Sequence, residues 1–191
     1  AAGTFDNENV GTNKTVTLVE TNAGDDVGNY SITAQGTTTA NITAKTLTAT
    51  ASASNKVYDG TTTATATLTF TGLVGAETLG QSVGATFVDK DVANAKTVTV
   101  NSITLSDGDN GGVASNYSIS TGQTTTANIT AKALTIAGIT ASNKTYNGNT
   151  TATINVDSAT FTGLVDGDAV TVSAAGTFDN ENVGTNKTVT L

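Results

Sequence analysis

The sequence contains no cysteine, histidine, methionine, tryptophan or proline among its 191 residues. Without cysteine and histidine it cannot form a Cys/His metal site, a thiol nucleophile or an imidazole base, which excludes most enzyme classes on chemical grounds. Because no disulfide can form either, the fold must be stabilised by buried side chains and hydrogen bonds. We therefore expect a protein with no enzymatic activity, no catalytic residues and no tightly held cofactor.

Charged residues are also scarce, at 13% of the chain, and their balance is acidic. There are 16 Asp and Glu against 8 Lys and Arg, which gives a formal net charge of −8. An acidic surface repels both nucleic acid and anionic lipid. No stretch approaches the roughly 20 apolar residues that cross a bilayer. We expect neither a nucleic-acid partner nor membrane insertion in this segment.

What the sequence has in abundance is self-similarity. Residues 1–18 recur letter for letter as residues 174–191, a period of 173 residues (174 minus 1). A looser repeat lies inside this period, since Asn29-Tyr30-Ser31-Ile32 returns as Asn116-Tyr117-Ser118-Ile119 after 87 residues (116 minus 29). Repeats at a fixed period are typical of arrays of similar structural units. The verbatim overlap indicates two unit types that alternate in a longer array.

These spacings divide the chain into three parts. We predict a complete repeat unit over 46–132, the C-terminal half of a preceding unit over 1–45, and the N-terminal half of the next unit over 133–191. A unit of about 87 residues is large enough to bury a core of its own, since domains of about 55–65 residues fold alone. Neighbouring units of the same chain are therefore expected partners.

The dominant hydrophobic period along the chain is two. In Lys96-Thr97-Val98-Thr99-Val100 and in residues 61–70, polar and apolar side chains alternate, as in half-buried strands. Pairs such as Asp59-Gly60 and Asn147-Gly148 mark tight turns between these runs. The pattern predicts an all-β fold of tandem Ig-like β-sandwich-type domains in a rod. The alternative is a β-grasp-like domain with one short helical turn near residues 72–79.

The side-chain pattern changes phase at two places. Ile42 and Leu47 are five residues apart, as are Ile129 and Leu134, so a strand of period two would point them to opposite faces. We interpret each change as a strand that leaves one core and enters the next, with the junctions at residues 44–46 and 131–133. No Gly/Ser-rich linker separates the units there, which predicts a nearly continuous strand and a stiff connection.

The most distinctive motif is a tyrosine turn, Asn55-Lys56-Val57-Tyr58-Asp59-Gly60-Thr61, with a counterpart at residues 143–149. It resembles the YDG repeats, and the related MBG repeats, of large secreted bacterial adhesins such as the filamentous-haemagglutinin-like surface proteins. The likeness continues through residues 87–100, 116–119 and 127–132. The second turn has Asn147 in place of the name-giving Asp, and both residues suit a tight turn before glycine.

The resemblance implies a surface stalk module without chemistry of its own, located extracellularly at the bacterial cell surface. Edge strands that pair between neighbouring chains would allow lateral or end-to-end self-association into fibres, and we expect contact with a host surface or biofilm matrix through other domains. For Tyr58 and Tyr146 we expect packed side chains that hold a hairpin, with ligand binding as the alternative.

One acidic loop contains the oxygen ligands that calcium prefers. Asp107, Asp109 and Asn110 alternate with glycine over residues 107–112, which is typical of a calcium loop. The loop lacks the downstream bidentate Glu of an EF-hand, so a solvated hairpin loop is the alternative. Calcium is the one cofactor that the sequence suggests.

Two functions fit these observations. The first is a structural stalk or spacer repeat of a large bacterial cell-surface adhesin or extracellular fibre, because near-identical units provide length and stiffness. The second is a multivalent module that binds glycan or matrix protein weakly. With 4 Tyr, 5 Phe and no Trp, platforms for stacking on sugars are scarce, which favours the spacer.

Overall fold

A computed structural model of the protein describes residues 1–191. The chain forms short β-strands, with single 3-10 turns at Val27–Asn29 and Ala114–Asn116. The prediction of an all-β fold is confirmed. The strands are, in chain order, β1 (Ala2–Phe5), β2 (Gly11–Val19), β3 (Thr37–Ile42), β4 (Lys45–Thr46), β5 (Thr48–Ala53), β6 (Lys56–Val57), β7 (Thr63–Ala64), β8 (Ala66–Thr71), β9 (Leu79–Phe87), β10 (Ala93–Asp107), β11 (Tyr117–Ser118), β12 (Thr124–Thr130), β13 (Thr135–Ala137), β14 (Thr140–Ala141), β15 (Thr151–Ala152), β16 (Ile154–Asn155), β17 (Thr160–Thr162), β18 (Gly176–Phe178) and β19 (Val189–Thr190).

The helical turn expected near residues 72–79 is not formed, and that part of the prediction is wrong. The segment makes a non-helical turn between β8 and β9. Gly72 and Gly75 both adopt positive φ angles, +108° and +55°. Positive φ belongs to left-handed backbone and interrupts a right-handed helix.

The folded chain divides into two compact structural units, whose bounds differ from those of the sequence repeats. The first comprises Ala1–Ser54, Thr62–Val88 and Ala95–Ala127, and the second comprises Asn55–Thr61, Asp89–Asn94 and Asn128–Leu191. None of the helical turns has the length and hydrophobicity that crossing a bilayer requires.

The core of the first unit lies along β9 and β10, which pair antiparallel with a bulge between Val100 and Ser102. These strands belong to a sheet in the order β12-β10-β9-β7. Val98 and Val100 are 0% and 1% exposed, as their alternation with threonine predicts. Burying one such side chain is worth about 1.5–3 kcal/mol. The same unit contains the sheet β1-β2-β3 and the pairs β5-β8 and β4-β11, of which β4-β11 is parallel.

The second unit contains the sheet β15-β18-β19 and the pairs β13-β17 and β14-β16. The end of β12 also belongs to it, where Ile129 and Thr130 pair in parallel with Lys56 and Val57 of β6. Ile129 is 1% exposed and is among the largest fully buried side chains.

The nearly continuous strand expected at the junctions is interrupted in both places. Strand β3 ends at Ile42 and β4 begins at Lys45, while β12 ends at Thr130 and β13 begins at Thr135. The change of phase is therefore achieved by residues that leave the strand ladder. The repeat boundaries at residues 46–132 stay a prediction.

Candidate functional site

The first tyrosine turn is closed by a network of hydrogen bonds around one carboxylate. Asp59 Oδ1 accepts hydrogen bonds from Lys56 Nζ at 2.7 Å and from the Thr61 backbone N–H and hydroxyl, both at 2.9 Å. Lys56 Nζ also donates to the Thr61 carbonyl at 2.8 Å. Gly60 completes the turn with φ +78°, a conformation that glycine adopts without steric cost. The Tyr-Asp-Gly motif thus forms a tight turn, which the Lys56–Asp59 ion pair and the hydrogen bonds from Thr61 hold closed.

These contacts hold the pKa of Asp59 at about 2. The largest cause is the hydrogen bond from Lys56, followed by the backbone N–H and the hydroxyl of Thr61. An unfolded Asp titrates near about 3.9. Because the folded pKa lies below this value, the carboxylate stabilises the fold above about pH 4, and this contribution is lost as pH falls towards about 2.

We expect Lys56→Met to raise the pKa of Asp59 towards its ordinary value, since the main donor to the carboxylate is removed. A carboxyl-carbon NMR titration measures this directly. Lys144→Met, the same change in the second turn, is the control and should leave the pKa of Asp59 unchanged. An unchanged Asp59 pKa in Lys56→Met would show that Lys56 does not close the turn.

The second tyrosine turn keeps the lysine but not the carboxylate. Lys144 Nζ donates to the carbonyl oxygens of Asn149 and Thr151, at 2.6 and 3.1 Å, and to Asn149 Oδ1 at 3.0 Å. Asn147 occupies the position of Asp59 and accepts from the Asn149 N–H at 3.4 Å. The turn geometry is therefore retained by neutral oxygens, without an ion pair.

Tyr58 lies between a carboxylate and an ammonium group. Its hydroxyl donates to Asp168 Oδ2 at 2.7 Å and accepts from Lys90 Nζ at 2.9 Å. Lys90 Nζ is also 5.3 Å from the centre of the Tyr58 ring and 4.0 Å from Asp168 Oδ1. The hydrogen bond with Tyr58 is the largest cause that raises the pKa of Lys90, and the nearby Asp168 charge contributes less. All three residues belong to the second unit.

Sequence reasoning anticipated a packed tyrosine here but not its partners. The sequence pattern singled out neither Lys90 nor Asp168. A signal for Asp168 is nevertheless present. Residues 70–74 match 161–165 at a spacing of 91 (161 minus 70), and at the same spacing Glu77 corresponds to Asp168.

A cavity of about 690 Å³ lies beside the second tyrosine turn, between residues 141–146 and 180–187. The first turn shows what occupies the corresponding place. There Asn128 N–H donates to Asn55 Oδ1 at 2.7 Å, and Tyr58 N–H donates to the Thr130 carbonyl at 2.8 Å. In the first turn a strand, β12, fills the space. The two turns thus differ in what adjoins them, β12 at the first and this cavity at the second.

The predicted calcium loop is held by hydrogen bonds within the protein. Asp107 Oδ1 accepts from the Ala114 N–H at 2.8 Å, and Asn110 Nδ2 donates to the Ala76 carbonyl at 3.0 Å. Asp109 is bound through its backbone N–H, which donates to Thr78 Oγ1 at 2.8 Å. The structure contains no group of three or more acidic side chains that could hold a metal ion. Calcium binding by Asp107, Asp109 and Asn110 stays a prediction, which a calcium titration of the melting temperature tests.

Comparison with known proteins gives one family. A family model described as YDG domain matches residues 43–127 and again residues 130–191. No match was found among curated proteins or among solved structures. The two matches together cover most of the chain, including both tyrosine turns. The chain therefore belongs to the YDG domain family.

Proposed function

We propose that this protein is a stalk or spacer segment of a large bacterial cell-surface adhesin or extracellular fibre. The observation that carries the proposal is the repetition itself. Two YDG domains follow one another over residues 43–127 and 130–191, and residues 1–18 recur verbatim as 174–191. A spacer needs length and regularity, and near-identical units supply both without any unique residue.

The composition supports the same proposal. The lack of cysteine and histidine removes the side chains that most catalytic and metal sites require. Host surface or biofilm matrix would then be bound by other domains, with lateral or end-to-end association of the repeats building a fibre.

We expect the length of the particle to grow in equal steps with the number of repeats. The measurement is the maximum dimension by small-angle scattering, for chains that contain one, two and three copies of the 173-residue period. A spacer gives a linear increase, whereas a freely jointed chain grows with about the square root of its length. A Gly/Ser segment inserted between residues 132 and 133 is the matched control, and it should turn linear growth into the flexible behaviour. Square-root growth without the insertion would contradict the spacer.

A second candidate function is multivalent, weak binding of glycan or matrix protein. Its support is the same repetition, since weak sites repeated along one chain gain affinity through multivalency. Binding of glycan or matrix protein that rises with repeat number would favour this function over the spacer.

A further inference from the structure

Tyr58 and Lys90 lie in the first YDG match, whereas Asp168 lies in the second. We propose that the tyrosine of the YDG motif, Tyr58, joins its repeat to the next one. Its hydroxyl donates a hydrogen bond to Asp168, the acidic residue three positions after the Phe-Thr-Gly-Leu-Val segment of that repeat. The inference concerns contacts between repeats, and it holds whether or not the array serves as a stalk.

The contact is more than a single hydrogen bond. Tyr58 and Asp168 are half-buried, and Lys90 approaches both the hydroxyl and the carboxylate. Charge-assisted hydrogen bonds of this kind are about twice as strong as neutral ones. The cation of Lys90 also offsets the charge that the carboxylate brings to the contact.

The glycine of the motif serves the same contact. A Cβ atom added to Gly60 would lie 2.8 Å from Cγ1 of Val165, which is closer than side-chain carbons pack. Val165 belongs to the same loop as Asp168. Tyrosine and glycine of the Tyr-Asp-Gly triplet thus both contact the next repeat, while Asp59 between them closes the turn.

The acidic loop accepts a tyrosine hydroxyl in both repeats, across the repeat boundary at Asp168 and within one repeat at Glu77. Glu77 and Asp168 occupy matching positions, 91 residues apart (168 minus 77), and both accept a hydrogen bond from a tyrosine hydroxyl. The donor is Tyr58 for Asp168 and Tyr117 for Glu77. The loop therefore presents a carboxylate that phenol groups recognise.

The second turn has the opposite charge beside its tyrosine. Tyr146 is 61% exposed, and Glu181 stands where Lys90 stands in the first repeat (181 minus 90 is again 91). A following loop with its own carboxylate would meet Glu181 there and would lack the compensating cation. The two unit types therefore give alternating junctions, of which the Lys90 type is the stronger.

Hydrogen exchange of the intact 191-residue protein tests the contact. The Asp168 N–H donates to the Val165 carbonyl at 3.0 Å, so its exchange reports opening of the loop. In Tyr58→Phe we expect this amide to exchange about ten to a hundred times faster, the change that loss of one charge-assisted hydrogen bond produces. Tyr146→Phe is the matched control and should leave the rate unchanged.

Lys90→Met provides a second variant, since it removes the cation and keeps the tyrosine. We expect the same amide to exchange faster in this variant, and salt to reduce the difference from the unmodified protein. Amides of β15 and β18 should keep their rates in every variant, which separates a local opening from unfolding. Equal Asp168 exchange in Tyr58→Phe and the unmodified protein, or an equal effect of Tyr146→Phe, would overturn the proposal.

Discussion

Ile129→Ala is expected to lower the free energy of unfolding by about 2–5 kcal/mol, the usual cost of removing a large aliphatic side chain from a core. Ile129 is 1% exposed, and it pairs with Lys56 of β6. For a domain of this size each kcal/mol lowers the melting temperature by about 4–8 °C. A fall of about 10 °C or more in thermal unfolding, followed by circular dichroism, is the expected result.

The chain provides a close control for this substitution. Residues 37–45 and 124–132 have the same nine letters, TTTANITAK, so Ile42 has the same local sequence as Ile129. Ile42 is only half-buried, at the end of an edge strand. Ile42→Ala should cost less than half as much. If both variants lost the same stability, burial at Ile129 would not be the cause.

Gly138→Ala is the second substitution with a large expected effect. Gly138 has φ +83°, and a Cβ atom there would lie 2.3 Å from the Ser158 carbonyl oxygen. The left-handed conformation costs a residue with Cβ about 1–2 kcal/mol, and the clash with backbone adds about 1–3 kcal/mol. Urea unfolding should therefore show a loss of about 3 kcal/mol.

Gly148→Ala separates the two causes. Gly148 has a similar φ of +74°, but no atom lies within 4 Å of an added Cβ. This variant should show only the conformational cost of about 1–2 kcal/mol. Equal losses at the two positions would mean that the structure around Ser158 yields and that close packing there contributes nothing.

The strands could be predicted because their alternation is local. Val98 and Val100 are buried where the pattern of Lys96 to Val100 places them. The degree of burial could not be predicted, since Ile42 and Ile129 have identical neighbours in sequence and different neighbours in space. What a strand buries depends on the strands that flank it, and those come from distant parts of the chain.

The tyrosine turn was predictable in the same local sense. Asp59 and Gly60 define it through side-chain and backbone preferences that act over a few residues. The partner of Tyr58 lies 110 residues away, and no local pattern identifies it. The wrong helical turn near residues 72–79 has a similar cause, because Gly72 and Gly75 allow several backbone conformations and the packing selects one.

The parallel pairing of β6 with the end of β12 also determines when a repeat can fold. Asn55 and Asn128 are bonded across 73 positions of the chain, so the ladder that covers the tyrosine turn closes only after nearly the whole repeat has been synthesised. Contacts of such separation form slowly. Until strand β12 is available, an identical TTTANITAK strand from a neighbouring repeat can pair with β6 in its place. Exchange of strands between repeats is a characteristic misfolding of repeat proteins. These nine identical residues therefore cannot by themselves distinguish the correct strand from its copy.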